Sequence, residues 1–560
     1  MQNTNKELDI EPFIWGFALQ NAINYDGKAN KGSIIGKLIA KFPEIKSNLK
    51  EISSIIDEIV QKVNSMSLDD QKKEFQKYEN LIEEKKKERT LRDLFKVLQI
   101  DESKPVVTAF PPGPEKYPHI GHAKAALLNY LLAKEYNGKF ILRFEDTNPE
   151  LVKEEFYNIF LEDLSWLGIV WDELIYASDY LDVLYQFAEK LIIENHAYVC
   201  TCPVETIRKN RSKGIECACR TRTTEENLSL WKKMFNAKPN EMILRLKIDL
   251  KHTNTTMRDP TIFRIIEKPH PRVKARVWPT YDFQNAVLDG YTGVTHRLRS
   301  KEFELRNELH RYIREILKLP QTQTYEFARF SIKGVETSGR KIREAIQKGE
   351  LLGWDDPTLV TIRALKRRGI LPEAIKELVI KTGITKAESE IEIEELYTIN
   401  RKLLDDKAWR FFMIKNPIKI KILNAPKRVV KLKLHPSKDY GYREMICDEE
   451  FFLEKEDIDK LENGKIYRLM DNLNFVYENN QFKYLSDDYL EYKSKGSGIF
   501  HWLPANDEII KIKILMPNHQ ILECLAEKNI KLLKINDVCQ FERFGFARLD
   551  QENFFYFTHQ

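Results

Sequence analysis

The chain has 560 residues, 42% hydrophobic and 31% charged, a soluble globular composition with length for about four domains at one per roughly 150 residues. Its 90 basic and 85 acidic side chains leave a formal net charge of +5, which excludes a global cationic field, so any nucleic-acid surface must be a local patch. No run of about 18 apolar residues occurs, and the opening MQNTNKELDIEP has no basic segment leading into an apolar core, so neither a membrane helix nor a signal peptide is expected. Residues 1–100 read as a helical domain broken at residues 24–28. Ile34, Ile35, Leu38 and Ile39 carry one helical period, and Ile52, Ile55, Ile56 and Ile59 another. Residues 71–95, with EEKKKERTLRD, predict a charged helix, and such a run is usually a solvated face.

Residues 104–149 read as strand, proline-rich loop, helix and strand. Residues 106–110 are apolar and β-favouring, and prolines at 111, 112, 114 and 118 keep a helix from starting before His119. Leu127, Leu128, Leu131 and Leu132 then repeat at helical spacing until Asn137 and Gly138, and residues 140–144 give a second strand. His119 and His122 therefore stand in the first turn of a helix at the carboxyl end of a parallel strand, the usual ligand crevice of an open α/β sheet. A helix start favours anions and an imidazole can donate to a phosphate oxygen. The plainer alternative is that His119 caps the helix and His122 is a half-buried histidine with its hydrogen bonds satisfied.

Helices are expected at 156–167 and 180–195, with a strand at 197–200. Cys200 and Cys202 are then separated from Cys217 and Cys219 by fourteen residues. Two close thiolate pairs suit a tetrahedral zinc ion that would hold together a subdomain too small for its own core; otherwise they are four unligated cysteines. An odd total of seven cysteines fits a reducing, cytoplasmic compartment better than a disulfide framework. Strand patterns return at 243–267, and the tract 278–281 ends a strand before a helix at 282–288. Residues 290–294 are expected to turn into a strand ending at 296–299, repeating the βα arrangement of the first half. Residues 359–414 are helical and basic; at 418–422 and 430–434 apolar residues alternate with lysines, and short β-like runs follow near 466–485, 498–503, 509–516 and 541–557, predicting an antiparallel region of barrel type. Those lysines are also consistent with the solvated face of a sheet.

The sequences PHIGHAKAALLNY and LRFEDTNP resemble class I aminoacyl-tRNA synthetases of the glutamyl/glutaminyl branch, in the archaeal glutamyl form. The resemblance implies an α/β multidomain fold: a split Rossmann-like parallel sheet with an inserted acceptor-stem domain, helical N-terminal and stem-contact domains, and C-terminal β-barrels that grip the anticodon. In residues this implies a helical domain at 1–100, catalytic halves at 101–195 and 276–345, an inserted zinc-loop domain at 196–275, a stem-contact domain at 346–415 and barrels at 416–560. The N-terminal tract beginning at Tyr25 resembles an extension thought to help hold tRNA, or is a stabilising appendage. It implies glutamate–tRNA ligase activity by a monomer on tRNA(Glu), with tRNA(Gln) open, using ATP and Mg2+ and, at Cys200, Cys202, Cys217 and Cys219, structural Zn2+. His119 and His122 would stabilise charge at the α-phosphate, with Pro112 and Gly121 beside ATP. Residues 337–341, Thr-Ser-Gly-Arg-Lys, stand where the family has a Lys-Met-Ser-Lys-Ser-like loop. No lysine follows Ser338, so either Arg340 or Lys341 would meet the phosphates. Glu145, Tyr281, Asn285 and Arg299 match the amino-acid pocket, Arg299 at a position that is arginine in glutamyl and small in glutaminyl enzymes; otherwise Arg299 makes a surface salt bridge. Ala109 departs from the family, which has arginine there.

Overall fold

Apolar residues at helical spacing build the N-terminal helices around a central one. A computed structural model describes residues 10–560 except 26, 43–44, 46–48, 83–89 and 388–389, in two units, Met1–Asp93 and Leu94–Gln560. In the first, α1 (Glu11–Asn24) packs on α2 (Lys31–Lys41), α3 (Leu49–Ser65), α4 (Leu68–Phe75) and α5 (Glu79–Ile82). Ile34, Leu38, Ile52, Ile56 and Ile59 are buried there with Ile14 and Ala18, whereas Ile55 is exposed. The charged helix expected over 71–95 is not continuous. α4 ends at Phe75, the chain turns so that Tyr78 stacks on Trp15 at 6.2 Å, and α6 (Leu91–Phe95) is separate. Residues 83–89 of that tract, and Asp26 of the expected break, lie outside the described residues.

The second unit opens with strand β1 (Val107–Phe110), helix α7 (Ile120–Glu135), strand β2 (Lys139–Phe144), helix α8 (Glu154–Trp166) and strand β3 (Glu173–Tyr176). After α9 (Leu181–Ile193) comes an inserted antiparallel sheet of β4 (Ala197–Cys200), β5 (Ile243–Leu246), β6 (Thr261–Ile265) and β7 (Val277–Pro279). It carries α10 (Val204–Lys213) and α11 (Thr224–Met234) between β4 and β5. The chain then re-enters the first sheet through α12 (Tyr281–Tyr291), β8 (His296–Ser300), α13 (Asn307–Ile316) and β9 (Gln323–Phe327). The order is β3-β2-β1-β8-β9, all parallel. It places the ends of β1, β2 and β8 side by side where the order switches. One boundary moves: α12 continues through Gly290, and the turn falls at 292–295, so His296 begins β8 rather than ending it.

Helices α14 (Gly339–Gln347), α15 (Ile362–Arg367), α16 (Pro372–Thr382) and α17 (Ile393–Asp405) lead to two seven-stranded sheets and a two-stranded hairpin. These sheets are mixed rather than purely antiparallel. Ile509–Leu515, for example, pairs antiparallel with Ile521–Glu527 but parallel with Phe554–His559. Adjacent strands joined by short turns run antiparallel, and the parallel contacts join strands distant in sequence, whose long connections permit either direction. Among the described residues no helix is long and apolar enough to cross a membrane.

Candidate active site

His119 caps α7, as the plainer expectation had it. The Gly121 N–H donates to His119 Nδ1 at 3.1 Å, and the His119 N–H donates to His122 Nδ1 at 3.1 Å, a reciprocal pair that satisfies two of the helix's first N–H groups. With both Nδ1 atoms accepting, each neutral ring carries its proton on Nε2. The rings lie 4.0 Å apart, and His122 meets Phe160 edge-on at 5.7 Å. Burial, with the charges of Lys116 and Arg329, pushes His119 down to about 3. Burial, His119 and Lys116 hold His122 well below the usual histidine range. Both are therefore neutral donors at physiological pH. Gly121 has no room for a side chain: a Cβ there would stand 2.9 Å from His119 Cε1 and 3.2 Å from the Phe330 carbonyl oxygen.

A second segment closes this loop from outside. His119 bridges to Thr361, the Ile120 N–H donates to the Val360 carbonyl at 3.0 Å, and the Ile362 N–H donates to the Pro118 carbonyl at 2.9 Å. Tyr117 stacks on Trp354 at 5.1 Å. Gly339, at the start of α14, lies against the stem of Lys116, so the 337–341 tract meets the first loop directly. Within that tract the backbone N–H groups of Thr337 and Ser338 donate to Glu336. Lys341 pairs with Glu336 at 3.0 Å and Arg340 with Glu344 at 3.1 Å, both cations largely exposed. Pro112 is buried, and its carbonyl accepts from the Glu145 N–H at 2.9 Å.

Beyond β1, β2 and β8 lies a buried polar network. Arg143, fully buried, sits 3.0 Å from Glu145 and 2.9 Å from Asp289. Arg297 donates to Asp289 at 2.8 Å and to Asn285 Oδ1 at 3.2 Å, and Asn285 Nδ2 donates to Glu145 Oε1 at 3.3 Å. Burial pushes Glu145 up against the pull of Arg143 and Arg297, and its Oε2 is buried without a hydrogen-bond partner. Arg299 is 7% exposed, so it is no surface salt bridge. It donates to Asn307 Oδ1 and to the Phe303 carbonyl at 3.4 Å, while its Nε is buried and unpartnered. Burial pushes its guanidinium down, and the nearby Tyr281 hydroxyl partly offsets that. Tyr281 and Arg299 share Phe303, at 5.7 Å from each. Ala109 is buried against Ile141, Ile175 and Val294.

Glu145, Tyr281, Asn285 and Arg299 thus gather at one end of the sheet, while His119, His122, Gly121, Ser338, Arg340 and Lys341 come from the two loops that meet through Gly339. Sequence reading missed Arg143, Asp289 and Arg297. Strand alternation held the signal for one of them, since Arg297 and Arg299 are two apart on β8 and share a face.

Cys200 ends β4 and Cys219 lies in the turn after α10. The four sulfurs are within 4.8 Å of one another, with 3.9 Å between Cys200 and Cys217 and 3.8 Å between Cys202 and Cys219. Four thiolates at ~2.3 Å from a tetrahedral zinc stand about 3.8 Å apart, so the donor set fits. Metal analysis of chelator-washed protein is expected to find about one equivalent of zinc, lost in Cys217→Ser; a fully active, metal-free preparation would remove the metal from the fold.

Residues 105–406 match "tRNA synthetases class I (E and Q), catalytic domain", and residues 408–493 and 499–550 match two anti-codon binding domains of the same group. The glutamate–tRNA ligase of Methanocaldococcus jannaschii is 40% identical over 551 residues, 97% of this chain and 98% of that protein. That of Pyrococcus abyssi is 41% identical over 562 residues, with the same coverage. A solved glutamate-tRNA synthetase from Elizabethkingia anophelis aligns over 54% of this chain and 71% of its own, with 20% identity and a TM-score of 0.41. A catalytic-domain match over more than half of the chain, with relatives near 40% identity along almost all of it, establishes that the chain belongs to the class I tRNA synthetases of the glutamyl and glutaminyl (E and Q) group.

Proposed function

We propose that the chain is a glutamate–tRNA ligase that activates glutamate with ATP and transfers it to the 3′ end of tRNA(Glu). The observation that carries this reading is Arg299, a buried guanidinium with an unpartnered Nε and no carboxylate in ion-pair contact among the described residues. A γ-carboxylate supplies the missing counter-ion and matches the fork, whereas the neutral amide of glutamine leaves the charge unpaired. Glu145 Oε2, equally without a partner, accepts the α-ammonium, with Tyr281 and Asn285 completing the pocket. The glutamate carboxylate attacks the α-phosphorus, and the Nε2–H groups of His119 and His122 meet the charge that develops there. Magnesium, when bound with ATP, would supply neutralisation of phosphate charge. The 2′-hydroxyl of the terminal adenosine then attacks the acyl carbon and gives up its proton, while the bond from that carbon to the phosphate oxygen breaks and AMP leaves with the electron pair. In this reading the catalytic halves are 101–195 and 276–345, the acceptor-binding insertion is 196–275, the stem-contact region is 346–415, the anticodon-binding region is 416–560, and the protein is a cytoplasmic monomer.

ATP–pyrophosphate exchange dependent on glutamate and tRNA tests the reading. A preference for glutamine would sink it, and absence of exchange with either amino acid would favour a synthetase-like RNA-binding protein. The 337–341 tract makes a further prediction. Changing Arg340 and Lys341 together to alanine should lower adenylation at saturating ATP more than it raises the KM for ATP, because cation–phosphate attraction grows as pyrophosphate departs. Unchanged rates would take both residues out of the mechanism.

A further inference from the structure

The two loops of the site meet at a cation that the 337–341 tract does not contain. Lys116 precedes His119 by three residues and is half-buried, and its stem packs against Gly339, whose Cβ would lie 2.9 Å from Lys116 Cδ and 3.2 Å from its Cβ. Its charge acts on both His119 and His122. No carboxylate among the described residues forms an ion pair with it, although Glu115 is its neighbour in sequence. The other cations here are engaged. Arg329 pairs with Glu302 at 3.3 Å and donates to Thr337, Arg343 donates to the Gly339 carbonyl at 3.0 Å, Arg340 pairs with Glu344 and Lys341 with Glu336. Glu115 and Glu302 act on it without closing an ion pair, and burial works against its charge; a half-buried ammonium with no close counter-ion, beside two neutral imidazole donors and the start of a helix, is arranged for a polyanion.

We propose that Lys116 is a catalytic residue whose ammonium meets the β- and γ-phosphates of ATP and the pyrophosphate that leaves, supplying from the first loop the cation that the second loop lacks after Ser338. This rests on the ligase reading above. In the step it serves, a carboxylate oxygen of glutamate bonds to the α-phosphorus while the bond from that phosphorus to the α–β bridging oxygen breaks. Pyrophosphate takes the electron pair, and no proton is transferred. Charge therefore grows on the leaving group, and a preorganised cation there stabilises the transition state more than bound ATP.

The test is adenylation by full-length Lys116→Met and Lys116→Arg, with direct titration of magnesium pyrophosphate into each protein. Lys116→Met is expected to lower the rate at saturating ATP by about 10²-fold with a smaller change in KM, to weaken pyrophosphate binding, and to leave Tm and glutamate binding unchanged. Lys116→Arg, which keeps the charge, should recover most of both losses. Wild-type rate and pyrophosphate affinity in Lys116→Met would overturn the assignment, as would equal losses in the two variants, since shape and not charge would then matter. Should Lys116→Met not fold, Lys116→Gln replaces it in both measurements. The titration decides even where exchange fails: an inactive wild type that still loses pyrophosphate affinity with Lys116→Met refutes the ligase reading and keeps the cation site.

Discussion

Replacing His122 with alanine is expected to lower the rate of adenylate formation by about 10²–10³, the usual cost of removing one preorganised donor from a developing phosphate charge. The KM for ATP should move far less, because the donor acts chiefly on the transition state. His119→Ala should cost at least as much, since it removes a donor together with the Nδ1 that accepts from the Gly121 N–H, while the backbone N–H that holds His122 is retained. The protonation state adds a second, independent expectation. With His119 held down to about 3 and His122 also far below its ordinary range by burial, both rings stay neutral through the range where a free histidine titrates, near 6.5. The adenylation rate should therefore show no loss attributable to these rings as pH falls from 8 to 5. A limb near 6.5 that disappears in His122→Ala would show that the ring titrates, its Nδ1 taking a proton where it now accepts from the His119 N–H. Near-normal turnover of His122→Ala would remove the motif from the mechanism altogether.

How far the sequence could be read follows from what each signal reports. Four prolines between 111 and 118 leave one place for α7 to begin, so the position of His119 and His122 was legible to within a residue. The crossing order of the sheet was not legible, because it depends on β1 being flanked by β2 and β8 from opposite halves of the chain. Strand Tyr442–Cys447 was missed although it alternates strictly, being exposed, buried, exposed along its length, because Arg443 rather than an apolar residue stands at one buried position. That arginine is paired with the buried Glu527 at 3.0 Å, a partner 84 residues away that no local pattern reveals. The same limit hid Arg143 and Arg297 on their strands and Asp289 on α12, whose charges look like solvated faces until their partners are brought together. Lys116 shows the reverse case. In sequence it sits in an ordinary polar loop beside Glu115, and only the packing of Gly339 against it joins it to the second motif.

Arg299→Ala should be the most selective change in the protein. Of the arginines around this pocket, two are already neutralised: Arg143 lies between Glu145 and Asp289, and Arg297 is held by Asp289 and Asn285. Arg299 has neutral partners among the described residues, Asn307 and the Phe303 carbonyl, and retains an unused buried Nε. Ala109 adds no cation from β1, since its side chain is closed in by Ile141, Ile175 and Val294. The γ-carboxylate of glutamate is therefore left with one strong counter-charge. Removing it should weaken glutamate by about 2–5 kcal/mol, the range for truncating a buried charged pair, or roughly 30- to 4,000-fold. ATP binding should hardly change, because in the proposed reading the phosphates lie with His119, His122 and the loops instead. Discrimination should fall with affinity, since glutamine is rejected by leaving this guanidinium unpaired, and a neutral residue imposes no such penalty. The assay is aminoacylation with glutamate and glutamine in parallel, each with its own tRNA. An unchanged ratio of the two efficiencies in Arg299→Ala would show that another group reads the side chain. Arg299→Lys provides the control for geometry: a point charge without the planar fork should keep the preference for glutamate but not its full strength, so a lysine variant as impaired as alanine would mean that bidentate shape, more than charge, sets the specificity.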